Sequence, residues 1–209
     1  MRKTLLVTND FPPRAGGIQT FLEGFVGQLD PDQLIVYAST PPDVDGVSGV
    51  TLAADYDAGQ PFDVVRYPGT MMLPTPTVRR KMQQLIRDHD VKNVWFGAAA
   101  PLGVMAKAAH AAGADRVIST THGHEIGWSM LPGARQILRK VFHDADLVTY
   151  LTEATLARLK PFMGDTDIMQ LHGAIDPELF AFNAGARREL RERYGLGEAP
   201  VVVCISRLV

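Results

Sequence analysis

The sequence has almost no cysteine. Cys204 stands alone among 209 residues, which rules out an intramolecular disulfide and the thiolate-rich tetrahedral sites that hold structural zinc. An excess of one charge is missing too. With 21 Lys and Arg against 23 Asp and Glu the net charge is −2, so a chain-wide basic footprint for nucleic acid is excluded and any cationic partner surface has to be local. Long apolar runs are also lacking. Near the start only Leu5, Leu6 and Val7 run together, too few for the hydrophobic part of a signal peptide. The apolar stretch 98–114 carries Lys107 and His110 and falls short of the roughly 20 apolar residues that a spanning helix needs. These gaps lead to the expectation of a protein that stays in the reducing cytoplasm and neither spans a membrane nor is exported.

What is present is an ordinary globular composition, 46% hydrophobic and 21% charged, in a length that suffices for one full α/β domain and a remainder. Apolar runs at 3–8, 33–39, 63–68, 91–97, 116–122, 146–152 and 167–173 read as strands, most of them continuous rather than alternating. Strands apolar on both faces belong to parallel sheets covered by helices. Helical patterns separate them. Ile18, Phe21, Leu22, Phe25, Val26 and Leu29 share one face, and further patterns fall at 77–90, 101–112, 133–144 and 153–162. The expected fold is a doubly wound α/β domain, Rossmann-like, with ligands beyond the carboxyl ends of its strands, in the loops after residues 8, 97, 121 and 172. The stretch 40–61, rich in Pro, Gly and Asp, is expected to hold at most one short edge strand. After Pro177 the rhythm restarts with a basic helix and a buried-looking strand, 200–209. The expected division is therefore a first domain over 1–177 and the beginning of a second over 178–209, and the chain reads as a fragment.

Three places carry residues suited to chemistry. The loop FPPRAGGIQTF sets Gly16 and Gly17 directly before a helix, whose free N–H groups and dipole favour a phosphate; a tight turn that needs glycine for steric reasons is the competing reading. The loop lacks the G-x-G-x-x-G spacing of dinucleotide sites. THGHE at 121–125 places His122, His124 and Glu125 at a strand end. A metal site is one reading, a hydrogen bond from His122 to a substrate hydroxyl or phosphate another, and plain loop polarity a third. Along 71–90, Val78, Met82, Leu85 and Ile86 share a helix face while Arg79, Arg80, Lys81 and Arg87 spread over the other. Met71, Met72 and Leu73, ahead of it, read as exposed in a proline-held loop. Apolar residues beside a basic cluster suit an anionic membrane surface, and a core-packed helix with a solvated basic face is the alternative.

FPPRAGGIQTF, HGAIDPELF and the terminal VVVCISRL, in this order and with TTHGHE between them, resemble the retaining glycosyltransferases of family 4, which have the GT-B fold. The resemblance covers essentially the whole chain. It implies that residues 1–177 form the acceptor-binding domain. It also implies that Gly16, Gly17 and Arg207 face the donor diphosphate and that His122 lies near the transferred sugar. His172 stands where many members carry Asn before the glycine. Within the family the sequence is similar to members that move mannose from GDP-mannose to phosphatidylinositol monomannoside through an α-1,6 linkage. That similarity implies a sugar-nucleotide donor, a phosphatidylinositol-based lipid acceptor, no metal or other cofactor, and docking at the inner face of the plasma membrane. Another acceptor within the family and a noncatalytic phospholipid- or nucleotide-binding module are the rival readings.

Overall fold

The computed structural model of the chain describes residues 1–204, and Arg207, expected at the donor diphosphate, lies outside the described residues. The chain separates into two compact units, 1–174 and 175–209.

The first unit is built on a seven-stranded, all-parallel sheet. Its strands are β1 (Thr4–Thr8), β2 (Leu34–Ser39), β3 (Asp63–Tyr67), β4 (Asn93–Phe96), β5 (Arg116–Thr120), β6 (Leu147–Tyr150) and β7 (Asp167–Gln170). They are ordered β3-β2-β1-β4-β5-β6-β7. β1 and β2 are buried along their whole length, which is why they read as unbroken apolar runs; β3, at one edge, is only partly buried. Helices α1 (Gly17–Val26) and α2 (Gly49–Ala58) lie on one face. There Leu22 and Val26 meet Leu6, Val36 and Trp95, with Tyr56 packed against the same cluster. The other face carries α3 (Pro76–Asp88) and, after a 3-10 turn at Leu102–Met105, α4 (Ala106–His110). Their apolar residues close over Leu5, Val7, Ile35 and Phe96. Short α5 (Glu125–Met130), α6 (Pro132–Asp144) and α7 (Glu153–Leu159) complete the unit, with α6 packed beside α4.

Three expectations are corrected. The stretch 40–61 holds a helix, α2, capped by Ser48, whose side chain accepts from the Thr51 N–H. It buries only Gly49 and Ala53, too little for a visible apolar stripe, and Gly49 has to be glycine because a Cβ would fall 1.8 Å from the Pro41 carbonyl oxygen. Met72 is buried, not exposed, while its neighbours Met71 and Leu73 do face solvent. Asn9 draws it in, donating to the Met72 carbonyl at 3.0 Å and accepting from its N–H at 2.6 Å.

The third correction falls in the second unit. It contains α8 (Ala184–Arg193), capped by Asn183, and no strand among the described residues. Of the expected strand 200–209, residues 201–204 are irregular and exposed, and 205–209 lie outside the described residues.

Candidate functional site

β1 and β4 are neighbours, yet the chain after β1 enters α1 on one face and the chain after β4 enters the 3-10 turn and α4 on the other. The two backbones part here, and the crevice at such a switch point is where open α/β sheets hold ligands. Asn9, Asp10 and Arg14 from the loop after β1 line a hollow of about 380 Å³ with Met71 and Leu73 after β3, Ala98 and Pro101 after β4, and His124 and Trp128 after β5.

The glycine loop is fixed from below. Thr8 Oγ1 accepts from the Asp10 N–H at 2.9 Å, and Gln19 Nε2 donates to Asp10 Oδ1 at 3.0 Å. Ser39 Oγ donates to the Asn9 carbonyl at 2.9 Å. Arg66 does most of the work. Its guanidinium donates twice to Asp57, at 3.0 and 2.7 Å, and also to the carbonyls of Ser39 and Pro12, at 3.0 and 2.6 Å, while lying 5.6 Å over the Phe11 ring. Both partners of this ion pair are largely buried, so one side chain joins β3, α2, the end of β2 and the loop.

Above the loop, Gly16 precedes α1 with no side-chain cap, which leaves the first N–H groups of the helix free. A Cβ on Gly17 would meet nothing within 4 Å, so the approach to those groups is open. On Gly16 a Cβ would fall 2.2 Å from Gln19 Oε1, so the residue there has to be small unless Gln19 moves.

His122 follows β5. Its Nε2 donates to the Gly97 carbonyl at 2.7 Å, and its ring meets the edge of Phe21 from α1, centroids 5.0 Å apart. Gly97 has no room for a side chain, because a Cβ would lie 2.8 Å from Leu22 and 3.0 Å from Thr8. Burial is the main cause that pulls the His122 pKa below its ordinary value of 6.5; the Gly97 carbonyl and Glu125 oppose this, and His124 adds to it. The imidazole is then neutral at pH 7. With Nε2–H donating to Gly97, Nδ1 of the neutral ring carries the lone pair, so it can accept a hydrogen bond but not donate one.

Glu125 orients this turn. Fully buried, it accepts from the N–H groups of His122 and Gly123 through Oε2, both at 3.0 Å. Its other oxygen lies 3.4 Å from His124 Nε2 and has no hydrogen-bond partner. The two histidine rings stack with centroids 6.5 Å apart. Among the described residues no group of three His, Cys, Asp or Glu side chains is gathered as a metal site.

The structure therefore brings Gly16, Gly17 and His122 to one edge of the sheet, linked through Phe21. Arg79 and Arg80 are exposed and Lys81 partly so on the outer side of α3, whose other side buries Val78, Met82, Leu85 and Ile86 as the periodicity indicates. The Arg66–Asp57 clamp and the Asn9–Met72 pair carry no sequence signal of their own. Trp128 and Arg14, which also line the hollow, are not singled out from the sequence, although each lies within six residues of a motif that is.

Comparison with known proteins places this geometry. A GDP-mannose-dependent alpha-(1-6)-phosphatidylinositol monomannoside mannosyltransferase of Mycolicibacterium smegmatis is 50% identical, over 98% of this chain and 53% of its own length. One of the same name from Mycobacterium tuberculosis is 47% identical, over 100% of this chain and 54% of its own. A GDP-mannose-dependent monoacylated alpha-(1-6)-phosphatidylinositol monomannoside mannosyltransferase of Corynebacterium glutamicum is 44% identical, with coverage of 100% and 54%. The chain thus spans about half the length of the curated relatives it matches. Among solved structures, Anabaena HepE in complex with UDP and glucose superposes with a TM-score of 0.63 at 16% identity, covering 94% of this chain and 51% of that one. Sucrose-phosphate synthase from Thermosynechococcus elongatus gives 0.64 at 12% identity, covering 91% and 53%. These likenesses show the fold, the Rossmann-like N-terminal domain of a GT-B architecture. With a match to the family over residues 15–179, which includes the glycine loop, the His122 turn and the end of the first unit, the chain belongs to Glycosyltransferase Family 4.

Proposed function

We propose that this chain is the acceptor-side half of a metal-independent retaining mannosyltransferase that moves mannose from GDP-mannose to phosphatidylinositol monomannoside, in α-1,6 linkage, at the cytoplasmic face of an anionic membrane. The observation that carries the reading is the 44 to 50% identity, over 98 to 100% of the chain, to relatives that all bear names for this activity.

In this reading the open N–H groups at Gly17 take the donor diphosphate, with Gly16 shaping the approach and Arg207 supplying a cation. The bond between mannose C1 and the diphosphate oxygen breaks, and the electron pair leaves with GDP. The acceptor 6-hydroxyl oxygen bonds to C1 from the same face, and its proton passes to the departing diphosphate. Charge that develops on the diphosphate is met by fixed dipoles and Arg207, in place of a metal ion. Mannose becomes cationic on the way. A protonated imidazole beside it would raise the barrier, so the burial that holds His122 neutral suits the task. Its Nδ1 accepts from a sugar hydroxyl and orients the ring, and its Nε2 is braced by Gly97. His122 thereby acts as a support to the transferred sugar and not as a nucleophile. Arg79, Arg80 and Lys81 draw the protein to the leaflet that holds the anionic acceptor.

The test is transfer by the full-length protein to phosphatidylinositol monomannoside in vesicles, with GDP-mannose or UDP-glucose as donor and with or without EDTA. Mannose transfer that survives EDTA is expected. Turnover only from UDP-glucose, or loss of activity on chelation that added divalent metal restores, overturns the reading.

A further inference from the structure

A second segment of the chain repeats the pattern of 71–88. Met72-Leu73-Pro74 leads into α3, Pro76–Asp88; Met130-Leu131-Pro132 leads into α6, Pro132–Asp144. Both helices have 13 residues, start on proline, end on aspartate and bury one apolar stripe. Both lie on the same side of the sheet, with α4 between them. The charges repeat as well. No acidic residue stands between Asp63 and Asp88 or between Glu125 and Asp144; the first stretch holds Arg79, Arg80, Lys81 and Arg87 besides Arg66, which is paired with Asp57, and the second holds Arg135, Arg139 and Lys140. In a chain of net charge −2 this is a marked segregation of cations.

Apart from Met72, which is buried, the apolar residues ahead of each helix are exposed: Met71 at 63% and Leu73 at 51% on one side, Met130 at 71% and Leu131 at 63% on the other. Trp128 connects the two sides. Met71, Leu73 and Trp128 line the hollow at the strand ends, and Trp128 and Leu131 line a smaller apolar recess of about 230 Å³ beside it. Trp128 is the wall between the two.

We propose that the α5–α6 turn, with Met130, Leu131 and Trp128, is a second membrane contact, so that an anionic phospholipid bilayer is met on both sides of the acceptor hollow. The proposal rests on the reading of Arg79, Arg80 and Lys81 as a membrane contact. A lipid surface is the occupant because the exposed Met130 and Leu131 lie in a stretch, 126–143, that holds Arg135, Arg139 and Lys140 and no acidic residue, and an anionic bilayer offers headgroups above hydrocarbon. The two contacts differ in kind. Arg79 and Arg80 make no ion pair among the described residues. On α6, Lys140 is bonded to Asp144, and Arg135 and Arg139 lie over the Phe162 ring at 5.8 and 5.5 Å. The α3 side therefore adds to Met71 and Leu73 an electrostatic attraction that salt screens, whereas the α5–α6 contact is mainly apolar and resists salt.

The experiment uses the full-length protein without substrate, on vesicles of phosphatidylcholine and phosphatidylinositol, so it does not depend on glycosyl transfer. Brominated acyl chains are expected to quench the emission of Trp128, taken as the difference between the protein and Trp128→Phe. Changing Met130 and Leu131 to Ser should lower the vesicle partition that persists in about 1 M salt by about tenfold. Changing Arg79, Arg80 and Lys81 to Ser should lower only the part lost in salt. Absence of quenching on bound vesicles, or high-salt partition unchanged by the Met130 and Leu131 changes, overturns the proposal. A concentration-dependent dimer that Leu131→Ser dissolves would assign the patch to a second copy and overturn it too. Should the double variant not fold, the quenching result on the unsubstituted protein decides.

Discussion

His122 can be separated into a structural and a functional half, because its two ring nitrogens have different partners. Nε2 donates to the Gly97 carbonyl at 2.7 Å, and Nδ1 is free. Removing the ring with His122→Ala would lose both, along with the edge contact to Phe21. At about 1 kcal/mol for the hydrogen bond and ~0.5–1.5 kcal/mol for the ring pair, such a variant should lose roughly 2 kcal/mol of stability. For a unit of this size that lowers the melting temperature by about 4–8 °C. Lower activity of the alanine variant would therefore be ambiguous. Gln and Asn divide the question, since the Gln amide reaches the Nε2 position and the Asn amide only the Nδ1 position. His122→Gln in the full-length protein should keep the bond to Gly97, lose only the ring pair and melt about 2–4 °C below the parent, yet lose kcat by about tenfold or more. His122→Asn loses both the bond to Gly97 and the ring pair, so it should cost roughly 2 kcal/mol of stability and yet retain more turnover than the Gln variant. Thermal melting and single-turnover mannose transfer measure the two halves. Parental turnover in His122→Gln, or an Asn variant less active than Gln, would refute the assignment of the sugar contact to Nδ1.

The depressed His122 pKa has a signature in stability. The unfolded chain takes up this proton near pH 6.5 and the native state only below that, so the contribution is complete above the unfolded pKa and declines as pH falls toward the native one. The urea midpoint should fall more steeply in the parent than in His122→Gln from about pH 7 to about pH 5, and equal slopes would contradict this. Arg66→Met should cost about 3 kcal/mol, the lower end for one-sided loss of a buried ion pair because both side chains keep some exposure, and hydrogen exchange should speed up across residues 9–17. Unchanged exchange there would detach the clamp from the glycine loop. Changing Arg79, Arg80 and Lys81 together to Ser should weaken sedimentation with anionic vesicles, each charge being worth ~1 kcal/mol, and slow transfer to vesicle-embedded acceptor more than transfer to a short-chain one. Equal slowing of both would mark the three residues as ordinary surface charges.

Most of the sheet was readable because its strands are buried on both faces, so that Leu5, Leu6 and Val7 or Ile35, Val36 and Tyr37 stand in unbroken apolar runs. α3 was readable for the complementary reason, a clean division between a buried and a charged side. α2 was not, since it buries two small residues, and its one signal was Ser48 ahead of Thr51. Met72 was misjudged because its burial is decided by Asn9, 63 residues away. The same limit applies at the site. The strand end that carries His122 follows from periodicity, but the tautomer follows from Gly97, 25 residues earlier in the chain, and only tertiary structure supplies that partner. Arg66 and Asp57 lie nine residues apart across a turn, where no helical or strand periodicity would pair them.

The divergence of the chain after β1 and β4 makes the hollow out of backbone geometry, without any gap in the packed interior. Its walls include the loop residues Arg14 and Leu73 and Trp128 of α5, none of which belongs to a strand. Exchanging Arg14 or Leu73 would reshape the hollow and leave the ladder intact. A scaffold arranged in this way can change the shape of its hollow by small steps in the loops while the parallel ladder beneath stays as it is.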